Sequence, residues 1–260
     1  MKHYQSIEVH AEGQVLTIWL NRVERRNAID GQMVDDLTHC LSLAADDDAF
    51  RVVVLRGRGD YFCAGGDLKW MRSGKDNPVP DRPATRLAGL FAFLFEFPKP
   101  VVAVVHGAAL GGALGLVSVA DFVLADSDAV FSFSELRLGL IPAVISPFVI
   151  RKTSPSIARK LMISARKLSA QEALQTQLVD VVAKEADLEK SLAGLCEELV
   201  MLAPEAMKAC KRMLNKVSES MIGEDLMTYT AGQLHLIQHG DEAGEGVQAF
   251  FEKRRPRWNI

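Results

Sequence analysis

Two glycine-rich segments and one glutamate are the residues best placed to do chemistry. Tyr61-Phe-Cys-Ala-Gly-Gly-Asp-Leu68 and His106-Gly-Ala-Ala-Leu-Gly-Gly-Ala-Leu-Gly-Leu116 each follow an apolar run that reads as a strand. Glycine lets the backbone approach a ligand closely and turn where a side chain would clash. A strand that ends in such a turn and opens a helix points several free N–H groups outward, and the helix dipole adds to their pull on negative charge. One such turn can hold a phosphate. Two converging on one oxygen make an oxyanion hole, which stabilises charge developing on a carbonyl. Glu135 opens an otherwise apolar stretch containing Phe131, Phe133, Leu136, Leu138 and Leu140. Burial there raises a carboxyl pKa and suits the group to proton transfer; turned to water, it would only cap a helix or turn. Tight packing alone explains many glycine clusters, and neither segment fits the dinucleotide pattern G-x-G-x-x-G or the phosphate loop G-x-x-x-x-G-K-[ST].

The elements that must position these groups can be read from periodicity. Ser6 to His10 and Gln14 to Leu20 alternate apolar with polar around Glu12-Gly13 and predict a β-hairpin. Asp30 is placed to cap a helix running to about Ala45, with Met33, Val34, Leu37, Leu41 and Leu43 on its apolar stripe. Arg51 to Arg56 predicts a strand, as do Phe122 to Ala125 and Ala129 to Phe133. Val101 to Val105 is uninterrupted and apolar, as in a strand buried on both faces. Strands separated by helical patterns imply an α/β fold built of βαβ units. After about residue 150 the pattern is helical: Ser156–Ser164, Ala170–Thr176, Asp187–Leu202, Pro204–Val217 and Gly223–His239, with Pro204 suited to a first helical position. Ser73 to Pro83 reads as a mobile surface loop.

Composition narrows the function classes. The chain has 260 residues, 48% of them apolar and 24% charged, with a formal net charge of −3. That charge supplies no basic field for nucleic acid or membrane. No apolar run approaches the roughly 20 residues of a membrane span. The stretch Met1 to Gly13 has neither a secretion-signal core nor the Arg-rich character of a transit peptide. Cys40, Cys63, Cys196 and Cys210 show no metal-binding or disulfide spacing, so reduced thiols in the cytoplasm are the expectation, with no metal.

Asn21-Arg-Val-Glu-Arg-Arg-Asn-Ala28, Phe62-Cys-Ala-Gly-Gly-Asp67, His106-Gly-Ala-Ala-Leu-Gly-Gly112 and Phe133-Ser-Glu-Leu-Arg-Leu-Gly-Leu-Ile-Pro142 follow in order. This succession resembles the crotonase family of enoyl-CoA hydratases and isomerases, and the likeness runs on to Phe250-Phe-Glu-Lys-Arg-Arg-Pro256. The resemblance implies a spiral of ββα units with a helical C-terminal region: a core over residues 1–195 and a trimerisation region over 196–260. It implies a homotrimer or hexamer acting on an acyl-CoA thioester, with coenzyme A as part of the substrate and no separate cofactor. Gly66 and Gly112 match the positions whose N–H groups bind the thioester oxygen, and Glu135 matches a catalytic acid–base. Ala64, Asp67 and Leu68 would lie along the adenine and pantetheine. Arg25 or Arg26, next to Ala28, matches the region that meets the CoA phosphates. Phe250 and Lys253 match a C-terminal helix that helps close a CoA site, often a neighbour's.

One departure stands out. Hydratases of this family usually pair two glutamates, and the position of the first falls on Gly115. Isomerases that shift a β,γ double bond into conjugation work with a single glutamate at the Glu135 position. The Gly112–Leu116 and Leu140–Arg151 segments also resemble hydratases of branched, carboxylated enoyl-CoAs: methylglutaconyl-, isohexenylglutaconyl- and carboxygeranoyl-CoA. On that reading Gly115 leaves room for the substrate carboxylate and removes a like charge. Acyl length and branching would then depend on Ser73–Pro83 and on Ala143–Phe148. A non-catalytic acyl-CoA-binding or RNA-binding protein on the same scaffold is the alternative from another class; for RNA, Lys/Arg stripes interleaved with aromatics are missing.

Overall fold

The computed structural model describes residues 4–73, 76 and 78–259. The hairpin forms from β1 (Ile7–Glu12) and β2 (Val15–Leu20), paired antiparallel. Helix α1 (Gly31–Asp46) follows, its first turn capped by the Asp30 carboxylate, which accepts the Met33 N–H at 2.9 Å. Met33, Val34, Leu37 and Leu41 are buried as the spacing requires, but Leu43 is 58% exposed. The buried face instead takes Cys40, Ala44 and, unusually, Asp36. That carboxylate accepts hydrogen bonds from the Ser6 N–H and hydroxyl, both at 2.8 Å, so it is buried with partners.

Strand β3 (Val52–Gly57) leads to the short α2 (Leu68–Ser73), and α3 (Pro83–Phe95) runs back to β4 (Val101–Val105). Of the loop expected over Ser73–Pro83, Gly74, Lys75 and Asn77 lie outside the described residues, as do Met1 to His3 at the N-terminus; Val79–Asp81 forms a helical turn. Then come β5 (Ala108–Leu110), α4 (Ala113–Val119), β6 (Phe122–Asp126) and β7 (Val130–Ser132). The main sheet has the order β1-β2-β3-β4-β6-β9, where β9 is Val181–Ala183, and is parallel from β2 onward. Alternate residues of β4 feed opposite faces: Val101, Ala103 and Val105 join one apolar cluster, Val102 and Val104 the other. This is the strand buried on both faces that its unbroken apolar run predicts.

The second half is less purely helical than its sequence suggests. Helices α5 (Ser146–Lys152) and α6 (Pro155–Ser164) precede β8 (Leu168–Ser169), which pairs with β7; α7 (Ala170–Gln175) precedes β9 (Val181–Ala183), which closes the main sheet. Strands this short carry almost no periodic signal. Helix α8 (Glu185–Val200) covers the far face of the sheet through Leu188, Cys196 and Leu199, so the expected division at 195/196 falls inside one helix. Helices α9 (Pro204–Glu219), α10 (Glu224–Gln238) and α11 (Asp241–Glu252) follow, with Pro204 at the first helical position. Among the described residues no helix is long and apolar enough to cross a membrane.

Candidate active site

Strands β3 and β4 lie side by side and parallel, so the segments that leave them travel together. A parallel bridge between Cys63 and Ala109 registers the two glycine turns against each other, and a second, between Ile29 and Gly66, ties the first turn to the 22–30 loop. At Gly65 φ is +97°, and a Cβ there would stand 2.5 Å from the Leu110 carbonyl oxygen, so this close crossing demands glycine. The Gly65 carbonyl accepts the Ile29 N–H at 2.7 Å. In a trans peptide the next N–H points the opposite way, which turns that of Gly66 away from the Ile29 backbone. The places that Cβ atoms on Gly112 and Gly65 would take are each 3.2 Å from the other segment's amide, at Gly66 N and Gly112 N. Among the described residues neither the Gly66 nor the Gly112 N–H donates to another group of the chain. Gly112 also caps the start of α4, where the dipole is positive.

Glu135 stands in a short helical turn, Ser134–Leu138, with its Oε1 3.4 Å from where a Cβ of Gly111 would be. Its Oε2 is buried with no hydrogen-bond partner among the described residues. Burial pushes this carboxyl above the usual glutamate range, only partly opposed by its own backbone N–H. A buried polar atom left without a partner calls for an explanation, and a ligand group is the natural one. Gly66, Gly112 and Glu135 line one cavity of about 290 Å³. Its walls are Ala64, Leu68, Met71, Leu87 and the run from Leu138 to Ile145, and they include no Lys, Arg or His among the described residues. The outer wall is open to solvent, with Ile141 71% exposed.

The other candidate residues divide. Ala64 and Leu68 are in the cavity wall, and Ala143, Val144 and Ile145 of the expected acyl-selecting segment join them. The Asp67 side chain is committed elsewhere. It accepts the Lys69 and Trp70 N–H groups at 2.9 and 3.2 Å and lies 3.4 Å from Arg22. Although burial raises its pKa, these two N–H groups and the guanidinium hold it below the usual aspartate range. Arg26 is in left-handed backbone conformation with its guanidinium 5.1 Å from the Tyr61 ring centre; its carbonyl accepts the Ala64 N–H, so its backbone adjoins the cavity wall. Arg25 is exposed one residue earlier, and the Ala28 carbonyl accepts from Arg22 at 2.5 Å. Phe250, 79% exposed, and Lys253, which ends α11, do not line the cavity.

Gly115 corrects an expectation. It leaves no room at all: a Cβ there would lie 2.4 Å from Cε2 and Cζ of Phe91 and 2.9 Å from Ile145 Cγ2. The space is filled by the Phe91 ring from α3, itself packed edge-on at 6.2 Å against Phe148. The periodic Leu87, Leu90, Phe91 and Leu94 mark this stripe in the sequence, but nothing local shows which helix it meets. Arg22, which also bridges to Asp30 at 2.9 Å, likewise carries no local sign of its role in tying the 22–30 loop to Asp67.

Two adjacent free amides beside a carboxyl whose pKa burial raises can polarise a carbonyl and move a proton next to it. The architecture and cavity therefore define a carbonyl-activating enzyme of the α/β spiral type. The enoyl-CoA hydratase/isomerase family profile matches residues 10–260. Carnitinyl-CoA dehydratase of Proteus mirabilis is 34% identical over 261 residues, 98% of each chain. An enoyl-CoA hydratase from Shewanella pealeana superposes with a TM-score of 0.92 at 34% identity, covering 98% of this chain and 96% of that one. Pseudomonas aeruginosa AtuE superposes equally well, at 0.92 and 36% identity, over 98% and 100%. The chain belongs to the enoyl-CoA hydratase/isomerase family, the crotonases.

Proposed function

We propose that the protein adds water across the α,β double bond of a short enoyl-CoA with an apolar acyl group. The observation that carries this reading is the unpartnered Glu135 Oε2 in the same cavity as the free Gly66 and Gly112 N–H groups. The thioester oxygen accepts from both amides. The Glu135 carboxylate takes a proton from water as its oxygen bonds to the β carbon, and the double-bond electrons move onto the thioester as an enolate. The protonated Glu135 then returns that proton to the α carbon, which restores the carboxylate. One oxyanion donor is worth about 10²–10³ in rate, and positioned proton transfer about 10²–10⁴.

The carboxylated acyl group, such as that of 3-methylglutaconyl-CoA, loses the room that supported it and finds no new support. Phe91 fills the room expected at Gly115, and no cation lines the cavity among the described residues to receive a second carboxylate. Isomerisation of a β,γ-enoyl-CoA is the second reading, and the closed Gly115 position favours it. There Glu135 alone would take the α proton and return it at the γ carbon. Offering purified protein crotonyl-CoA, 3-methylglutaconyl-CoA and a β,γ-enoyl-CoA separates the three through the conjugated thioester absorbance. It should fall with crotonyl-CoA; a gain with the β,γ substrate alone supports isomerase, and preference for the glutaconyl thioester restores the carboxylate reading. Self-association belongs to the same proposal, through the exposed Phe250, Phe251, Leu234 and Leu236 of the C-terminal helices, in a compartment that keeps Cys210 reduced.

A further inference from the structure

The packing around Gly115 points to the determinant of acyl length. Gly112 and Gly115 belong to one helical turn, so Gly115 lies about 4.5 Å further along the axis from the proposed oxyanion site. On the facing helix Leu87 lines the cavity and stands 3.8 Å from where a Gly112 Cβ would be. Phe91 follows one turn later on the same face, and α3 and α4 are in contact. Both Phe91 and Ile145 crowd the single point that a Gly115 Cβ would occupy, and Ile145 is a cavity wall residue. The ring is fully buried and held edge-on by Phe148, whose own neighbour Phe95 lies 5.7 Å away. Phe91 is not itself in the cavity wall; behind Leu87 and Ile145, which are, it forms a rigid aromatic layer.

We infer that Phe91, admitted by the missing side chain at Gly115, backs the floor that Leu87 and Ile145 give the acyl cavity and so sets the longest acyl chain the protein accepts. This rests on the thioester being held at Gly66 and Gly112 as proposed. Gly115 is then required to let the ring in, and the pair acts as a specificity device.

Binding reads this without depending on turnover. Butyryl-, hexanoyl- and octanoyl-CoA would be titrated calorimetrically into the parent protein and into Phe91→Ala and the milder Phe91→Leu, each variant first checked by circular dichroism. The parent should bind the longer chains no more tightly than butyryl-CoA. Each methylene newly admitted to apolar space tightens binding about fourfold, so with about two of octanoyl's extra methylenes entering the vacated space octanoyl-CoA should gain on the order of tenfold over butyryl-CoA in Phe91→Ala, with a smaller gain of the same sign in Phe91→Leu. An unchanged length dependence in a folded variant overturns the inference and leaves the acyl-CoA reading standing. If no thioester binds the parent, that reading fails and the floor falls with it.

Discussion

Adding one methyl group at Gly115 sets two effects against each other, and the structure decides which wins. Alanine in mid-helix is favoured over glycine by up to about 1 kcal/mol. Here, however, the new methyl would lie 2.4 Å from two Phe91 ring carbons and 2.9 Å from Ile145, well inside contact distance. The ring cannot swing away freely, because it is fully buried and packed against Phe148. Overpacking of this kind costs about 1–3 kcal/mol, so Gly115→Ala should destabilise the protein by about 1–2 kcal/mol on balance. Phe91→Ala leaves a void and should cost about 3–5 kcal/mol. In the double variant the methyl occupies space the ring has left, so the combined loss should fall short of the sum by at least about 1 kcal/mol. Urea unfolding followed by circular dichroism, at one fixed protein concentration, measures the cycle. Losses that add within about 0.5 kcal/mol, or a Gly115→Ala protein as stable as its parent, would refute the packing argument.

Other perturbations test the chemistry. Gly112 has φ −54°, a value proline also adopts, and its N–H has no acceptor within the described chain. Gly112→Pro should therefore keep its circular dichroism and melting but lose about 10²–10³ in turnover; normal turnover in a folded variant removes Gly112 from the oxyanion site. The raised Glu135 pKa should displace the acid limb of kcat/KM above the pH of an ordinary carboxylate, and a profile flat through that region counts against Glu135 as the base. Because the folded-state pKa lies above the unfolded one, the stability Glu135 contributes is complete below the unfolded value and is lost as pH rises through the folded value. Glu135→Gln should then melt higher than the parent at neutral pH, with the gap closing toward acid; a lower melting point at neutral pH would contradict the burial.

Much of this was legible in residue order because the signals are local. Asp30 announced its helix and the Val101–Val105 run its two-sided burial; that the two glycine turns and Glu135 share one cavity was implied only by the resemblance of the motifs, taken in order, to the crotonases. What stayed hidden depends on partners distant in sequence. Leu43 fits the α1 stripe by spacing yet faces solvent, at the edge of the face that buries Cys40 and Ala44, and nothing local shows where the cover of that face ends. Gly115 reads as open space, since the ring that fills it belongs to another helix. The strands β5, β8 and β9 are two or three residues long and exist only through their pairing.

Proton transfer by a single carboxyl, in the same cavity as two free backbone amides, is the step on which the proposed hydration rests. Glu135→Gln keeps the shape and removes the transfer. With crotonyl-CoA, followed by loss of the conjugated thioester absorbance, the account predicts a fall in turnover of at least about 10²-fold, with affinity for the thioester unchanged. A folded variant that retains more than half of the parent rate would contradict it.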